Sequence, residues 1–354
     1  MTSRNMKSGL KASKVGAWLS GKGPQADIVI SSRIRLARNV AGVSFLPKAS
    51  PQEQKELVSS INRTLTETLI SNGRGVVHVE DLPPLEAQFL LERHLVSHDF
   101  LKGKGPRGFF ATEDETFSLM INEEDHLRLQ VLASGLSLKE AFKRTSEIEE
   151  RLNSELPFAY SERYGFLTAC PTNVGTGMRA SILIHLPGVI LTREVDRVLR
   201  GVLQLGLSVR GTYGEGTETK GHLFQISNQR TLGQSEEEIV GTLAGMAEQL
   251  IRYERDARSY LMTNMASYIQ DKTFRSLGIL KYARILTSEE TLNLLSALRL
   301  GLPMPGLDVA TLNKLMILSR PANLQLYFGE ELEPEQRDRK RAELVRETLK
   351  NVEA

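Results

Sequence analysis

The 354-residue sequence contains a single cysteine, no long apolar run and almost no net charge. Cys170 has no second cysteine in the chain with which to form a disulfide, as is typical of a reducing compartment. No stretch approaches the length needed to cross a bilayer, and residues 1–18 lack the apolar core of a signal peptide. We therefore expect a cytoplasmic protein with no membrane partner.

The charge balance excludes a general attraction to polyanions. Lysine and arginine number 45 against 43 acidic residues, which gives a formal charge of +2. Direct binding to nucleic acid is therefore not expected, and any basic site must be local. Hydrophobic residues at 40% and charged residues at 25% are typical of a folded globular protein.

The predicted secondary structure of the chain changes near residue 257. Before it, helical stretches at 52–70 and 236–258 alternate with short apolar runs that predict strands, at 28–36, 75–84, 116–125, 180–190 and 221–228. After it, the spacing predicts helices almost throughout, interrupted by a turn at 301–307 that contains two prolines and two glycines. We predict an α+β fold with a lead at 1–26, a catalytic domain at 27–257 and an all-helical domain at 258–354.

The sequence also lacks the GxxxxGK[ST] phosphate-binding loop and the protein-kinase signatures. If the chain binds a triphosphate, arginine side chains must hold it, because a rigid guanidinium fork matches phosphate oxygens. Arg33 and Arg35 alternate onto one face of a predicted strand, and Arg179 and Arg210 follow in GMRAS and SVRGTYGE. Taken alone, such a pair is more often an exposed strand face than a site.

Three carboxylates are candidates for binding a guanidinium acceptor: Glu123, Glu124 and Glu215. A guanidinium is a poor nucleophile, so its transfer chemistry needs one carboxylate to orient the fork and one to accept a proton. We predict one strand from Phe117 towards Val131, which would put Glu124, His126 and Arg128 on the same face. The alternatives are a solvated acidic turn and a core histidine.

Five motifs together resemble the phosphagen (guanidino) kinases, over roughly residues 27–257. They occur in the order and approximate spacing of that family, namely SSRIRLARN, NEEDHLRLQ, CPTNVGTGMRAS, RGTYGE and ISNQRTLG. The resemblance implies a glutamine-synthetase-like catalytic domain, in which a curved antiparallel sheet is flanked by helices.

The resemblance also implies residue roles. Glu124 is similar to the proposed catalytic base, Glu215 to a second guanidinium-holding carboxylate, and Cys170 to the active-site cysteine, with Glu123 beside them. The positions that it implies for ATP are Ser31, Ser32, Arg33, Ile34, Arg35, His94, Arg128, Arg179 and Arg210. Magnesium is inferred from ATP chemistry rather than from a ligand set in the sequence.

Two departures from the small-molecule phosphagen kinases point to a protein acceptor. Only 30 residues precede Ser31, where those enzymes carry roughly a hundred residues with a loop that closes over the substrate, so we expect an open pocket. The helical extension at 258–354 resembles that of the protein-arginine kinases of this family. Within it, RDRKRA at 337–342 matches their phosphoarginine-binding motif, with Arg337, Asp338 and Arg341 as the binding residues. Charge spacing alone favours a solvated helix face here.

The leading hypothesis is therefore an ATP-dependent protein-arginine kinase. The alternatives are a phosphagen kinase for free arginine or another small guanidino compound, and a non-catalytic phosphoarginine-binding adaptor. The resemblance further implies a stress-response role, with a heat-shock repressor among the substrates, a zinc-binding activator protein and a Clp unfoldase that degrades marked proteins. An apolar stripe at Leu292, Leu294 and Leu295 is a candidate surface for a homodimer.

Overall fold

The computed structural model describes residues 6–68, 70, 73–211 and 219–353. The strands are β1 (Val29–Arg38), β2 (Val77–His78), β3 (Gly108–Ala111), β4 (Phe117–Ile121), β5 (Leu127–Ser134), β6 (Tyr160–Ser161), β7 (Gly165–Phe166), β8 (Met178–His185), β9 (Leu207–Gly211) and β10 (Leu223–Asn228). The helices are α1 (Pro51–Glu67), α2 (Pro84–Glu92), α3 (His98–Lys102), α4 (Leu138–Glu155), α5 (Pro187–Leu191), α6 (Val195–Gln204), α7 (Glu236–Asn264), α8 (Ala266–Tyr282), α9 (Ser288–Leu300), α10 (Val309–Leu318), α11 (Pro321–Phe328) and α12 (Pro334–Leu349). Glu215 lies outside the described residues.

Eight strands form one sheet in the order β2-β3-β4-β5-β1-β8-β10-β9, and every pairing is antiparallel. Strand β1 lies near the middle, between β5 and β8. β6 and β7 form a separate two-stranded hairpin. The predicted α+β fold, an antiparallel sheet flanked by helices, is confirmed.

Side chains alternate between the two faces of β1, and the two faces have different coverings. Ile34 and Leu36 belong to an apolar core with α1, α4 and α7, which pack on one face. Ile30 belongs to a second core that contains Trp18, α2 and the C-terminal helices. Between these coverings, Arg33 and Arg35 of β1 lie on the second face of the sheet, whereas Arg38 lies on the first face and pairs with Glu149 of α4 and Glu236 of α7.

The predicted continuous strand from Phe117 towards Val131 is wrong. The structure divides it into β4 and β5, which pair as a hairpin in the register Ile121 to Leu127. Asn122 has a positive φ of 61°, and its backbone N–H donates to His126 O at 3.0 Å, which closes the turn. Asparagine tolerates this left-handed conformation better than most residues, so the NEEDH motif forms the turn and not a strand face.

The ends of the predicted helices follow local capping chemistry. At α1 and at α7, a serine and a glutamate three residues later form a capping box, Ser50 with Glu53 and Ser235 with Glu238. α7 continues to Asn264 and so passes through the predicted boundary at residue 257, and the domain boundaries stay a prediction. None of the helices in the described ranges combines the length and the apolar character that crossing a membrane requires.

Buried arginines join the C-terminal helices to the rest of the chain. Arg299 of α9 donates to the backbone oxygens of Ala26 and Asp27 at 2.6 and 3.2 Å, and to Asn313 Oδ1 at 2.7 Å. Arg93, at the end of α2, donates to Asn323 Oδ1 in α11 at 2.8 Å. Since both guanidinium groups are buried, these contacts fix the helices against the sheet.

The apolar stripe predicted as a dimer surface is instead part of the core. Leu292 and Leu295 of α9 are 6% and 4% exposed, and Leu294 packs against the same cluster. Their spacing indicated an apolar helix face correctly, but Leu292 and Leu295 line an internal pocket with side chains of β1, β10 and α10. The stripe is therefore not available to a second copy.

Glu92 of α2 caps the N-terminus of α11. Its carboxylate accepts hydrogen bonds from the backbone N–H groups of Ala322 and Asn323 at 3.0 Å, and from Asn323 Nδ2 at 2.9 Å. A negative charge at this end of a helix is favourable, and here it is also buried.

We expect Glu92→Ala to lower the free energy of unfolding by at least about 2 kcal/mol, because several buried donors would lose their acceptor. Glu335→Ala, in the exposed first turn of α12, is the matched control and should cost less than about 0.5 kcal/mol. Urea unfolding measures both. Equal losses in the two variants would contradict a stabilising role for the cap.

Candidate active site

Four of the predicted phosphate-binding arginines lie on one face of the central strands. Arg33 and Arg35 project from β1, Arg128 from β5 and Arg179 from β8. The register sets Arg35 directly opposite Arg179, and it sets Ala37 opposite Arg128. Like charges directly across a sheet are unfavourable, so this cluster is costly unless an anion occupies it.

Polar side chains of β8, β9 and β10 hold two of these arginines in place. Arg33 donates to Gln225 Oε1 at 2.8 Å and to Ser181 Oγ at 3.2 Å. Arg179 donates to Ser227 Oγ at 3.2 Å, with Ser208 Oγ at 3.4 Å. The sequence analysis missed these supporting residues. Their alternation with apolar residues in predicted strands was the signal that they share the arginine face.

The remaining donors of the cluster point to a ligand. Arg35 Nε and Arg179 Nε are buried and have no hydrogen-bond partner among the described residues. Burial holds the pKa of Arg35 well below its usual range, and the positive charges of neighbouring arginines lower it further. The same causes lower the pKa of Arg33 to about 10. Each shift records that the charged form is disfavoured until negative charge arrives.

His94 lies beside this cluster. It lines a pocket together with Arg33, Ser31 and Trp18. Of these residues, only Trp18 was not predicted from the sequence. The rings of His94 and Trp18 meet edge to face with centroids 6.1 Å apart. Burial lowers the pKa of His94 to about 3, with a smaller effect from the charge of Arg33, so the imidazole is neutral at physiological pH. A neutral ring and an apolar wall suit a nucleotide base.

Two residues of the SSRIR motif have their side chains away from the arginine face. Ser32 Oγ donates to Gly135 O at 2.8 Å and accepts from Ser137 N at 2.9 Å, on the side where α4 begins. Ile34 is fully buried in the core under α1 and α4. Both side chains therefore support β1 instead of facing the cluster.

The turn between β4 and β5 separates the two adjacent glutamates. Arg128 Nη1 donates to both carboxylate oxygens of Glu123, at 2.8 and 2.6 Å, and Ser97 Oγ donates to the same group. Glu124 is exposed, and its one described contact is the side-chain amide of Asn173 at 3.4 Å. Glu123 therefore orients Arg128, while Glu124 has its oxygens available.

The other two residues of the turn are structural. Asp125 Oδ1 accepts from Asn39 Nδ2 at 2.7 Å and from the backbone N–H of Ala169 at 2.6 Å. His126 is fully buried, accepts from Val40 N through Nδ1 and donates from Nε2 to a backbone oxygen. The alternative of a core histidine is confirmed for His126. Asp125 attaches the segment before Cys170 to the turn that carries Glu124.

Cys170 precedes a short 3-10 helix at Pro171–Asn173. Its Sγ atom lies 3.0 Å from Thr172 Oγ1, and Thr168 Oγ1 donates to its backbone oxygen at 2.7 Å. Asn173 of the same segment contacts Glu124, so the thiol and the candidate base belong to one local assembly. Arg210 lies on β9 at the sheet edge and is exposed, and the predicted role of Glu215 stays a prediction.

In α12, the RDRKRA residues divide into buried and accessible groups. Arg341 is 1% exposed, and its guanidinium donates to the backbone oxygens of Ser319 and Leu286 at 2.7 Å and also bonds to Asp338. Arg337 is half-buried and donates to Leu332 O at 3.0 Å. The predicted clamp on phosphoarginine stays a prediction. The guanidinium of Arg341 already bonds to the backbone at the end of α10 and before α9.

The arginine face is suited to a triphosphate and the adjoining turn to a guanidinium. The buried Nε atoms of Arg35 and Arg179 have no hydrogen-bond partner in the described part of the chain, and buried donors are normally paired. Within the described ranges, no group of three or more histidine, cysteine, aspartate or glutamate residues could hold a metal ion. Magnesium commonly keeps several waters and binds through substrate phosphates. A site whose arginines hold a triphosphate could therefore receive magnesium together with the nucleotide.

Comparison with known proteins supports the same chemistry. Residues 56–257 match the family model "ATP:guanido phosphotransferase, C-terminal catalytic domain", and residues 266–354 match "Protein-arginine kinase McsB C-terminal domain". The chain is 46% identical over 338 residues to a protein-arginine kinase of Moorella thermoacetica, covering 94% of this chain and 97% of that one. It is 45% identical over 341 residues to one of Geobacillus stearothermophilus, covering 95% and 94%.

Solved structures of small-molecule guanidino kinases share the fold. A lombricine kinase aligns with a TM-score of 0.57 and 25% identity, covering 70% of this chain and 72% of that one. A taurocyamine kinase from Schistosoma mansoni with bound transition-state-analogue components aligns with a TM-score of 0.57 and 27% identity, covering 69% and 35%. These findings favour an enzyme over the adaptor alternative. The chain belongs to the ATP:guanido phosphotransferase family and, within it, to the protein-arginine kinases.

Proposed function

We propose that this enzyme transfers the γ-phosphate of ATP to the guanidinium group of arginine residues in proteins. The observation that carries the proposal is that the arginine cluster and an exposed carboxylate lie side by side. Arg128 of the arginine cluster is paired with Glu123, and the next residue, Glu124, is an exposed carboxylate. Phosphate-binding and guanidinium-binding groups thus adjoin on a single turn.

In the proposed mechanism, the arginine face neutralises the triphosphate and the charge of the transition state. Arg33 and Arg179 are held by serine and glutamine side chains, so they need little reorganisation when phosphate binds. Glu124 orients the acceptor guanidinium and takes its proton as the nitrogen attacks the γ-phosphorus, while the bond to the β–γ bridging oxygen breaks and ADP leaves. Magnesium would neutralise phosphate oxygens, and its ligands would come chiefly from ATP and water.

Cys170 and Glu215 are proposed to complete the acceptor side. The thiol is held in the segment that Asp125 ties to the turn, so it lies in the same assembly as Glu124. The proposed role of both residues is to position the planar guanidinium, and neither acts as a nucleophile.

Further proposals rest on the family resemblance. They are a cytoplasmic location, a stress-response role, a heat-shock repressor among the substrates, a zinc-binding activator and a Clp unfoldase that receives marked proteins. Phosphoarginine control through α12 belongs with them, with Arg337 and Asp338 as the accessible binding groups.

A homodimer also remains a proposal, with a different surface from the one expected. Large apolar side chains are exposed from the end of α7 to the end of α8. They are Tyr260, Met262, Met265, Tyr268, Phe274, Ile279 and Tyr282. Exposed apolar groups of this density are typical of protein interfaces.

The first test is the identity of the phosphate acceptor. We expect incubation with labelled ATP and an arginine-containing protein to give acid-labile label on arginine, since the product contains a P–N bond. Free arginine offered at the same concentration should release much less ADP. Label on free arginine alone would favour the phosphagen-kinase alternative and contradict the protein acceptor.

Removing the proposed base should lower kcat strongly without loss of nucleotide binding. Glu124→Gln keeps the shape of the side chain but cannot accept the proton, so we expect kcat to fall by roughly 10²- to 10⁴-fold. Glu140→Gln, exposed on α4, is the control and should retain full activity. A Glu124→Gln variant with undiminished kcat would rule out the assigned role.

Two arginines of β1 should respond oppositely to the same substitution. Arg35→Met removes a buried charge that Arg33, Arg128 and Arg179 repel, so we expect equal or higher thermal stability without ATP and a Kd for ATP raised roughly tenfold or more. Arg38→Met should instead destabilise the protein by about 3 kcal/mol or more, because it breaks buried ion pairs to Glu149 and Glu236. Calorimetry and nucleotide titration measure both variants. A destabilised Arg35→Met variant would contradict the argument from charge repulsion.

A further inference from the structure

We infer that Trp18 is a positioning residue for the base of the nucleotide, because its indole fixes the ring of His94 at one end of the arginine cluster. Trp18 lies in the N-terminal lead, ahead of the catalytic family model, which begins at residue 56. The inference rests on the proposed function, since it takes ATP as the bound nucleotide. It gives the lead a part in holding the base, while the arginine cluster binds the phosphates.

The strand register decides which end of the arginine cluster receives the base. Ala37 of β1 pairs with Arg128, next to the turn that carries Glu124. The γ-phosphate must reach this end, because the acceptor is proposed to bind beside Glu124. Ser31 lies six residues before Ala37, about 20 Å away at the rise of a β-strand. The base therefore belongs at the Ser31 end of β1.

A pocket opens at that end of the cluster. Its lining includes apolar and aromatic side chains and a few polar groups, namely Trp18, Leu132, Leu183, His94, Ser31 and Arg33. Small-molecule sites are typically apolar pockets with a small number of placed polar groups. No acidic side chain is among the described residues that line it. Such a lining suits a planar base at the end of a phosphate-binding face.

His94 is held from two sides. Its φ of 59° is in the left-handed region, and its backbone oxygen accepts from Gln130 Nε2 at 2.7 Å. Its ring meets that of Trp18 edge to face, with an interplanar angle of 68° and centroids 6.1 Å apart. The backbone bond sets the place of the residue, and the edge-to-face contact sets the orientation of the imidazole.

Packing alone holds the indole. Trp18 is 1% exposed, and its Nε1 has no hydrogen-bond partner among the residues that the structure describes. A Cβ atom at Gly16 would approach Nε1 and Cδ1 of the indole to 2.5 Å, so glycine is what permits the ring to lie against the backbone there. Removing or displacing the indole would therefore let the imidazole of His94 turn.

Polar contacts anchor the lead beside the pocket. A short 3-10 helix, Ala17–Leu19, carries the indole. Its first N–H donates to Asp114 O at 2.9 Å, and its last carbonyl accepts from Asn313 Nδ2 of α10 at 3.0 Å. Arg93, at the end of α2, donates to Ala12 O at 3.2 Å. The lead, α2 and the C-terminal helices therefore meet at the wall of this pocket.

The test separates base binding from phosphate binding in the full chain. ATP and inorganic triphosphate are titrated by calorimetry against the unmodified chain and four variants. Trp18→Leu removes the ring, Trp18→Phe keeps an aromatic edge, and Gly16→Ala keeps the indole but displaces it. Phe109→Leu is the matched control, since Phe109 is also 1% exposed and lies in the same apolar core. Thermal unfolding verifies that each variant is folded.

For Trp18→Leu we expect the Kd for ATP to rise about three- to tenfold, with the Kd for inorganic triphosphate unchanged. Gly16→Ala should show the same selectivity, and Trp18→Phe should retain most of the ATP affinity. Phe109→Leu should lower thermal stability without changing either Kd. An equal rise in both Kd values, or an unchanged Kd for ATP in Trp18→Leu and Gly16→Ala, would overturn the positioning role.

The fluorescence of Trp18 gives a second readout, because this is the only tryptophan in the sequence. We expect ATP to change the emission of the unmodified chain more than inorganic triphosphate does. No change with ATP, or a larger change with triphosphate, would contradict a base beside Trp18.

The inference and the proposed function fail in different ways. A chain that binds neither ATP nor inorganic triphosphate would overturn the proposed function, and the inference with it. A chain that binds ATP, but whose Trp18 variants bind ATP and triphosphate equally weakly, would overturn the inference alone.

Discussion

The register between β1 and β8 sets Arg35 opposite Arg179, and the active site depends on this unfavourable meeting of like charges. Buried guanidinium groups are normally paired, as is that of Arg38, which projects from the opposite face of the same strand. The cluster persists because the strands carrying it are fixed by pairing on both sides and by the apolar core beneath them. The repulsion between these arginines destabilises the protein without a ligand, and a bound anion would relieve it. The same residues therefore lower stability and favour phosphate binding.

The NEEDH turn distributes its functions over neighbouring residues. Glu123 orients Arg128, Glu124 stays exposed, and Asp125 secures the segment that leads to Cys170. His126 fills the core beneath the turn. Such a division requires a tight turn, because in a continuous strand adjacent glutamates would project to opposite faces of the sheet. The turn is thus what lets a phosphate-binding arginine and a candidate base adjoin.

The C-terminal helices are built into the catalytic fold by polar contacts as well as apolar ones. Glu92 caps α11, and Arg299 reaches the backbone before β1. Helix α12 holds Leu286, just before α9, through the Leu286 N–H bond to Asp338 O and through Arg341. Helix α12 is therefore attached to the residues that lead into α9.

The sequence by itself determined the fold class and most of the helices and strands, because periodicity and capping are local properties, and its ordered motifs predicted the residues of a phosphate site. It indicated that Arg33 and Arg35 share a face, but not that Arg179 lies across from them, since strand order is set by long-range pairing. It predicted one strand where Asn122 makes a turn, because alternation in the flanks continues through the motif. It marked Leu292 and Leu295 as an apolar stripe, while only tertiary packing decided that the chain buries this stripe itself. The supports at Gln225, Ser181 and Asp125 join residues far apart in the chain, and such contacts exist only once the chain has folded.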